Sequence, residues 1–376
     1  MRTADVIVIG GGIHGCSTAL ECRRRGLSVI LLEKDHVARH ASGVNAGGVR
    51  RLNRHPDEIP LAMASAALWQ SIKDLVGDNC GYRQTGQIRV AETEAGLEAI
   101  AARRALVEGL GYSHEQWIDR ETLFGLVPAI ARHCLGALYT ADDGYADPSR
   151  TTRAFARRAA ALGAEIISPC RAGIPVRTGD GWQVPTDRGP VSGAAVVNCA
   201  GAWGGAIAAG LGEPVPIEPV APMMLVTARV PPFIAPVVAS FDRMISFKQS
   251  PNGTVVIGGG WRGRAEPEAN RALVEFGDLH RLIGNVLHLF PVMREARITR
   301  SWAGIEGMMP DGIPVISPSA TAPGVVHAFG FSAHGFQLGP IGGRIVADLV
   351  ETGKTALPIA PFSIERFQRA SWREAS

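Results

Sequence analysis

Three glycines and one carboxylate carry the sharpest chemical signal in this chain. Gly10, Gly12 and Gly15 spell G-x-G-x-x-G, and Glu33 follows about 20 residues on. Gly10 permits a tight turn, Gly12 lets the backbone approach a pyrophosphate, and Gly15 lets a helix pack closely on a strand. A helix opening at this point offers free N–H groups and a positive dipole end to phosphate oxygens. Glu33 can take both ribose hydroxyls, and its charge repels a 2′-phosphate. The pattern predicts a dinucleotide site, with either a nicotinamide or a flavin dinucleotide as its ligand.

A second stretch, "RHASGVNAGGVRR" at 39–51, poses a different question. Seven of the nine residues from Ala41 to Val49 are Ala, Gly, Ser or Asn, and Arg50 and Arg51 follow at once. So small-sided a segment builds little core. The plain reading is a flexible surface loop ending in solvated charge; the sharper one is a backbone that something large and flat approaches closely.

Two later stretches favour a flavin over a nicotinamide. In "GAAVVNCAGAWGGAIAAGLG" (193–212) a buried strand runs through the small turn Ala200–Gly201–Ala202 into a helix. In "GVVHAFGFSAHGFQLGPIGGRIVADLVETG" (324–353) a strand over Val325–Phe329 enters a loop holding five glycines, at 330, 335, 339, 342 and 343. Pro340 marks the expected first turn of the following helix, Ile341, Ile345, Val346, Leu349 and Val350 its apolar stripe, and Gly353 its stop. The positive end of that helix suits the pyrimidine edge of an isoalloxazine, where negative charge gathers on reduction. His334 and His40 lie in or beside these loops, but no Ser/His/Asp order or HExxH points to hydrolytic or metal chemistry. No metal ligands are expected.

The elements that must hold these residues are readable in outline. Val6–Ile9 is a short apolar run, the mark of a strand buried on both faces. A helix with Ala19, Leu20 and Cys22 inward follows, closed by Gly26, and Ser28–Leu32 make the next strand. Segments 80–92 and 213–300 alternate more like strands. They include a hairpin turning at Pro251–Asn252–Gly253 and an amphipathic helix over 272–290. The fold class expected is α/β: a Rossmann-type, glutathione-reductase-like dinucleotide domain with a second α+β domain on an antiparallel sheet. The first domain takes 1–76, 141–212 and 301–360, the second 77–140 and 213–300, and 361–376 form a tail.

Composition sets the bounds. At 376 residues and 46% hydrophobic content the chain can build two domains. A net charge of +3, with only Lys34, Lys73, Lys248 and Lys354 as lysines, offers no basic stripe for nucleic acid. The six cysteines form no CxxC and read as reduced, buried thiols. No signal peptide is evident and no apolar run nears the ~18 residues of a membrane span. A cytoplasmic setting is expected.

The N-terminal nucleotide unit, "NCAGAW", "SWAGIEGMMPDGIPVI" (301–316) and "GFSAHGFQLGPIGG" together resemble the D-amino-acid oxidase superfamily of flavoproteins. The nearest likeness is to glycine oxidase, monomeric sarcosine oxidase and the β subunits of heteromeric sarcosine, opine and hydroxyproline oxidases or dehydrogenases. It spans nearly the whole chain. The resemblance implies FAD, held by Gly10, Gly12, Gly15, Glu33, Lys34, Ser42, Asn45, Ala46, Gly47, Ala200, Gly201, Trp203, Gly335, Phe336 and Gln337. It places the 39–51 segment beside the flavin ring, with Arg50 ahead of Arg51 as the arginine that holds flavin or substrate. Arg50, Gln337 and His334 are the implied catalytic candidates; Arg50, Arg51, Glu306 and Lys248 are the substrate-binding ones.

Departures from the family pattern sharpen this. Asn45 stands where some relatives attach flavin through a His, and no Cys follows Cys199 where others use a Cys, so FAD is expected to be non-covalent. Glu306 stands where glycine oxidase has a carboxylate-gripping Arg, and could instead meet a cationic group or pair with Arg300 or Arg297. Gln337 replaces a substrate-binding Lys, and the strand 254–263 lacks the Lys that promotes reaction with oxygen in sarcosine oxidase. The resemblance thus implies oxidation of an amino acid or N-substituted amine, by hydride transfer from the C–N carbon to flavin N5, to an imine that hydrolyses. Activity should rise as the amine loses its proton. The alternatives are a β subunit passing electrons to partner chains, a 2-hydroxy-acid dehydrogenase and a flavin-binding protein without activity. A small-molecule substrate, no nucleic acid, and partner subunits, an electron acceptor or a homo-oligomer complete the expected partners.

Overall fold

The computed structural model describes residues 2–368. Its first layer is a sheet in which five strands run parallel, in the order Glu165–Ile167, Val29–Leu32, Arg2–Ile9, Val191–Asn198, Val325–Phe329, the first of them at the edge. These strands are nearly continuous apolar runs because both faces are covered. Val6, Val8, Val29 and Leu31 pack on one side with Cys16, Leu20, Phe155 and Ile345 from helices Ile13–Arg24, Pro148–Ala161 and Gly335–Thr352. Ile7, Ile9, Ile30 and Leu32 fill the other side with Trp182 and Ile207. Gly181–Val184 and Val315–Pro318 extend the sheet antiparallel.

The second layer is an eleven-stranded sheet with its own core, in which Ile88, Val90, Phe247, Leu282, Val286 and Phe290 are buried. Its helix, Phe276–Leu289, is shorter than the 272–290 expected, because Arg271–Leu273 pair as a strand instead. The hairpin at 251–253 joins Ser246–Gln249 to Val255–Gly258. The sheet is antiparallel apart from Gln87–Ala91, which runs parallel to Val237–Ser240. Those two strands come from separate insertions, so no hairpin constrains their direction. The boundary expected at 301 falls inside strand Ile298–Ala303, which pairs with Glu218–Thr227 of this sheet, as does Glu306–Met308.

Of the tail expected at 361–376, the part to 368 is packed, with Phe362, Ile364 and Phe367 buried; 369–376 lie outside the described residues. All six cysteines are free and buried. Among the described residues no helix is long and apolar enough to cross a membrane.

Candidate active site

One cavity of about 1120 Å³ lies between the two layers. That exceeds the usual 300–1,000 Å³ of a small-ligand pocket and suits a dinucleotide together with a small substrate. Its floor is the dinucleotide unit. Gly10 turns the chain at φ +111°, and a Cβ on Gly15 would stand 1.9 Å from the Gly10 carbonyl, so helix and strand can meet only over glycine. The Glu33 carboxylate accepts from Gly11 N at 2.7 Å and Asp35 N at 2.8 Å, which fixes it at the end of its strand. Ser42 Oγ accepts from Ile13 N, a free N–H of the helix opening.

Apart from the exposed Arg39, the 39–51 segment is folded and at least half-buried. It forms a short helix, Ala41–Val44, and a strand, Gly48–Val49, and lies beneath the second sheet. Trp302 Nε1 donates to the Val44 carbonyl at 2.8 Å, and Ala41 N to the Ile305 carbonyl. The Asn45 amide is used at both ends, donating to Ala41 O and accepting from Gly47 N. A Cβ at Gly48 would meet nothing within 4 Å, so this backbone borders open cavity.

The wall after Ala200 is braced by a buried relay that sequence reasoning missed. Glu213 contacts His327 Nε2 at 3.0 Å; Asn198 Nδ2 meets His327 Nδ1 and donates to the Gly204 carbonyl. Asn198 Oδ1 accepts from Ala200 N, which shapes the turn leading to Trp203. Those polar residues lie among apolar strand residues, and only their pairing reveals a shared task.

The far wall is the opening of helix Gly335–Thr352. This helix starts five residues before Pro340, which lies inside it. A proline there removes one helical hydrogen bond and crowds the preceding turn. Helix Ile59–Gln70 supplies outside partners at that turn: Ser65 Oγ and Trp69 Nε1 both donate to the Gln337 carbonyl. His334 caps the helix, with Nδ1 2.6 Å from Glu58 Oε2. Burial brings the His334 pKa down to about 4, so the ring is neutral at physiological pH. Burial opposes ionisation of Glu58, but His334, then Arg54 and Arg50, outweigh it and hold its pKa below the ordinary value.

The residues expected from sequence are distributed unevenly. Of the cofactor candidates, all but Gly15 line the cavity, and Gly15 serves the helix contact described above. Arg50, Glu306, His334 and Gln337 also line it. Arg50 Nη1 donates to Leu52 O and Asn53 O. Gln337 is committed to structure: Nε2 donates to Ala62 O and Oε1 accepts from Arg54 Nη2. Arg51 stands outside the lining, held by Asp143 through both its backbone N–H and Nε, so it is a structural ion pair and not a substrate contact. Lys248 is also outside the lining, with Nζ 4.4 Å from the Tyr145 ring and close to Gly47. Glu306 Oε1 accepts from Ala333 N, and burial raises its pKa. Its partner is that backbone N–H, and the charge that acts on it is that of Arg262, not that of Arg300 or Arg297. Missed altogether were Arg54, Arg89, Gln87 and His14, the last stacked on Phe331 at 3.5 Å.

The residues present fit FAD. Among the described residues, Lys34 Nζ is buried without a hydrogen-bond partner; it lies over the Trp203 ring at the dinucleotide end, and burial brings its pKa to about 8. An orphaned ammonium beside a glycine cradle calls for an anionic ligand.

Known proteins point the same way. Glycine oxidase of Geobacillus kaustophilus (strain HTA426) is 28% identical over 371 residues, covering 96% of this chain and 97% of its own. The sarcosine oxidase β chain of Arthrobacter sp. is 26% identical over 380 residues, covering 98% of this chain and 92% of its own. The crystal structure of L-proline dehydrogenase from P. horikoshii superposes with a TM-score of 0.91 at 26% identity over 98% of each chain. The model of the FAD dependent oxidoreductase family, DAO, matches residues 5–349, and the chain belongs to that family.

Proposed function

We propose that this oxidoreductase acts on an amino acid or N-substituted amino acid, at the carbon that bears nitrogen. The observation that carries the reading is one cavity joining the dinucleotide cradle to a chamber bordered by Arg50, His334 and Glu306. When bound, FAD supplies the hydride acceptor, at N5. Arg50 borders the chamber as the candidate to hold the substrate carboxylate; Nη1 is engaged by the backbone carbonyls of Leu52 and Asn53, and Glu58, Asp143 and Glu115 act on its charge from nearby. Only a neutral amine can push hydride from carbon, so a proton must leave nitrogen first. That proton goes to solvent and no side-chain base is required, since burial holds the His334 pKa at about 4, too weak a base to take it. The imine product is then hydrolysed by water. Glu306, lacking positive charge, cannot grip a carboxylate and borders the same chamber.

FAD is held without a covalent bond, because Asn45 occupies the attachment position and spends its amide on the loop. A second reading, a chain that passes electrons to partner subunits, is supported by the nearly end-to-end likeness to the sarcosine oxidase β chain. Anaerobic titration of the yellow protein with D- and L-amino acids, N-alkyl amino acids, opines and 2-hydroxy acids tests both. Bleaching by an amine supports the reaction, and recolouring on admission of air marks an oxidase. Bleaching by hydroxy acids alone would overturn the amine assignment. No recovery in air, but rapid recovery with an artificial electron acceptor, would favour the second reading.

A further inference from the structure

Strand Gln87–Ala91 turns Ile88 and Val90 into the core of the second sheet and, by its two-residue alternation, turns Gln87 and Arg89 to the cavity. Its neighbours offer them nothing. Arg89 stands between Ala239 and Leu138 in register, and Gln87 between Val237 and Thr140, whose hydroxyl is spent on the His114 carbonyl. Among the described residues, the Arg89 Nε and the Gln87 Oε1 are both buried without a hydrogen-bond partner. Gln87 is only 6% exposed. The Arg89 guanidinium rests instead on the Phe241 ring, at 4.7 Å.

Nor does a nearby acid of this chain stand ready. Glu115 is taken by Arg103 at 2.6 and 2.9 Å, and Asp143 by Arg51. Burial and the nearby charge of Arg50 bring the Arg89 pKa down to about 10, a sign of two cations facing one space. An uncompensated buried guanidinium is costly, and its planar fork matches a carboxylate.

We infer that the substrate carries a second carboxylate, clamped by Arg89 together with the Gln87 carboxamide turned to present its NH₂, while Arg50 takes the first. The substrate class is therefore a dicarboxylic amino acid, either acidic in its side chain or N-carboxyalkylated. The inference rests on the amino-acid reading above for the first carboxylate. It adds a specificity site on the roof sheet. A single carboxylate held at Arg50 would leave the buried Arg89 Nε without a partner.

The test uses the flavin-loaded protein and inert acids as probes, glutarate against butyrate, followed by calorimetry and by the shift in flavin absorbance. Glutarate should bind at least about tenfold more tightly, the worth of one charge-assisted contact. Arg89→Met should reduce glutarate to the level of butyrate, Arg89→Lys should keep part of the preference, and Gln87→Leu should weaken it with a smaller packing change. Melting curves confirm that each variant is folded. Equal binding of the two acids, or a preference that survives Arg89→Met in a folded protein, overturns the inference. Flavin bleaching separates the two levels. If glutamate and N-carboxymethylalanine fail while norvaline and N-methylalanine bleach, the dicarboxylate class falls and the amine reaction stands. If glutarate binds through Arg89 but no amine bleaches, the anion site stands and the amine reaction falls.

Discussion

Arg54 Nη2 donates to Gln337 Oε1 at 3.2 Å, joining the segment after the first glycine-rich unit to the opening of the last long helix. The same guanidinium donates from Nη1 to the His334 carbonyl and from Nε to the Arg50 carbonyl, and is 2% exposed. One side chain thus fixes the backbone of two cavity residues and the side chain of a third. Gln337 cannot stand in for a substrate-binding lysine, because both ends of its amide are spent. Gln337→Lys should set a second buried cation beside Arg54 and destabilise the fold by about 3–5 kcal/mol. Gln337→Met should cost about 1–3 kcal/mol by stranding donor and acceptor. Urea denaturation distinguishes them; a lysine variant as stable as the methionine one would contradict the assignment.

Glu33 predicts a loss confined to the cofactor. Its carboxylate is placed by Gly11 N and Asp35 N at the edge of the cavity. Glu33→Ala should raise the dissociation constant for FAD by about tenfold to a hundredfold, the value of one or two hydrogen bonds to a charged group. Flavin fluorescence on dilution measures this. An unchanged constant would mean that the ribose hydroxyls are held elsewhere.

Acid precipitation should leave colourless protein and yellow supernatant. Asn45 offers no nucleophile, and all six thiols are buried; burial pushes the Cys16 thiol far up and that of Cys199 to about 12. A thiol in that state is inert toward a flavin carbon. Colour retained in the pellet would refute non-covalent binding.

What could be read from the sequence follows from how local each constraint is. The Gly10–Gly15 contact is made within one turn, so its glycines were legible at once. Arg50 and Arg51 were not separable, because neighbours just past strand Gly48–Val49 leave the chain on opposite sides: one reaches the cavity, the other Asp143, some 90 residues on. Arg89 was invisible for the same reason in reverse. Its importance lies in the lack of partners across two strands, and that lack is a property of register. Pro340 misled, since the residues that support the helix ahead of it, Ser65 and Trp69, are remote in sequence.

Lys248 yields a prediction about pH. Burial lowers its pKa to about 8, opposed by the charge of Asp147. Its side chain is 6% exposed, and its ammonium lies against the Tyr145 ring and the glycine-rich backbone at Gly47. The unfolded chain holds its proton up to about 10.4. Between these two values the unfolded state binds more protons than the folded one, so stability rises with pH through that window. Below about 8 both states are protonated, and the folded protein bears the full cost of a buried charge. Lys248→Met should therefore raise the melting temperature at pH 7, for a gain on the order of 1–3 kcal/mol. The gap between variant and parent should shrink as pH climbs from about 8 towards 10 and the parent sheds its proton. Melting curves across that range, at constant FAD, give the answer. A gap that stays constant or widens would show that the ammonium is compensated, and that Asp147 or the bound cofactor pairs with it.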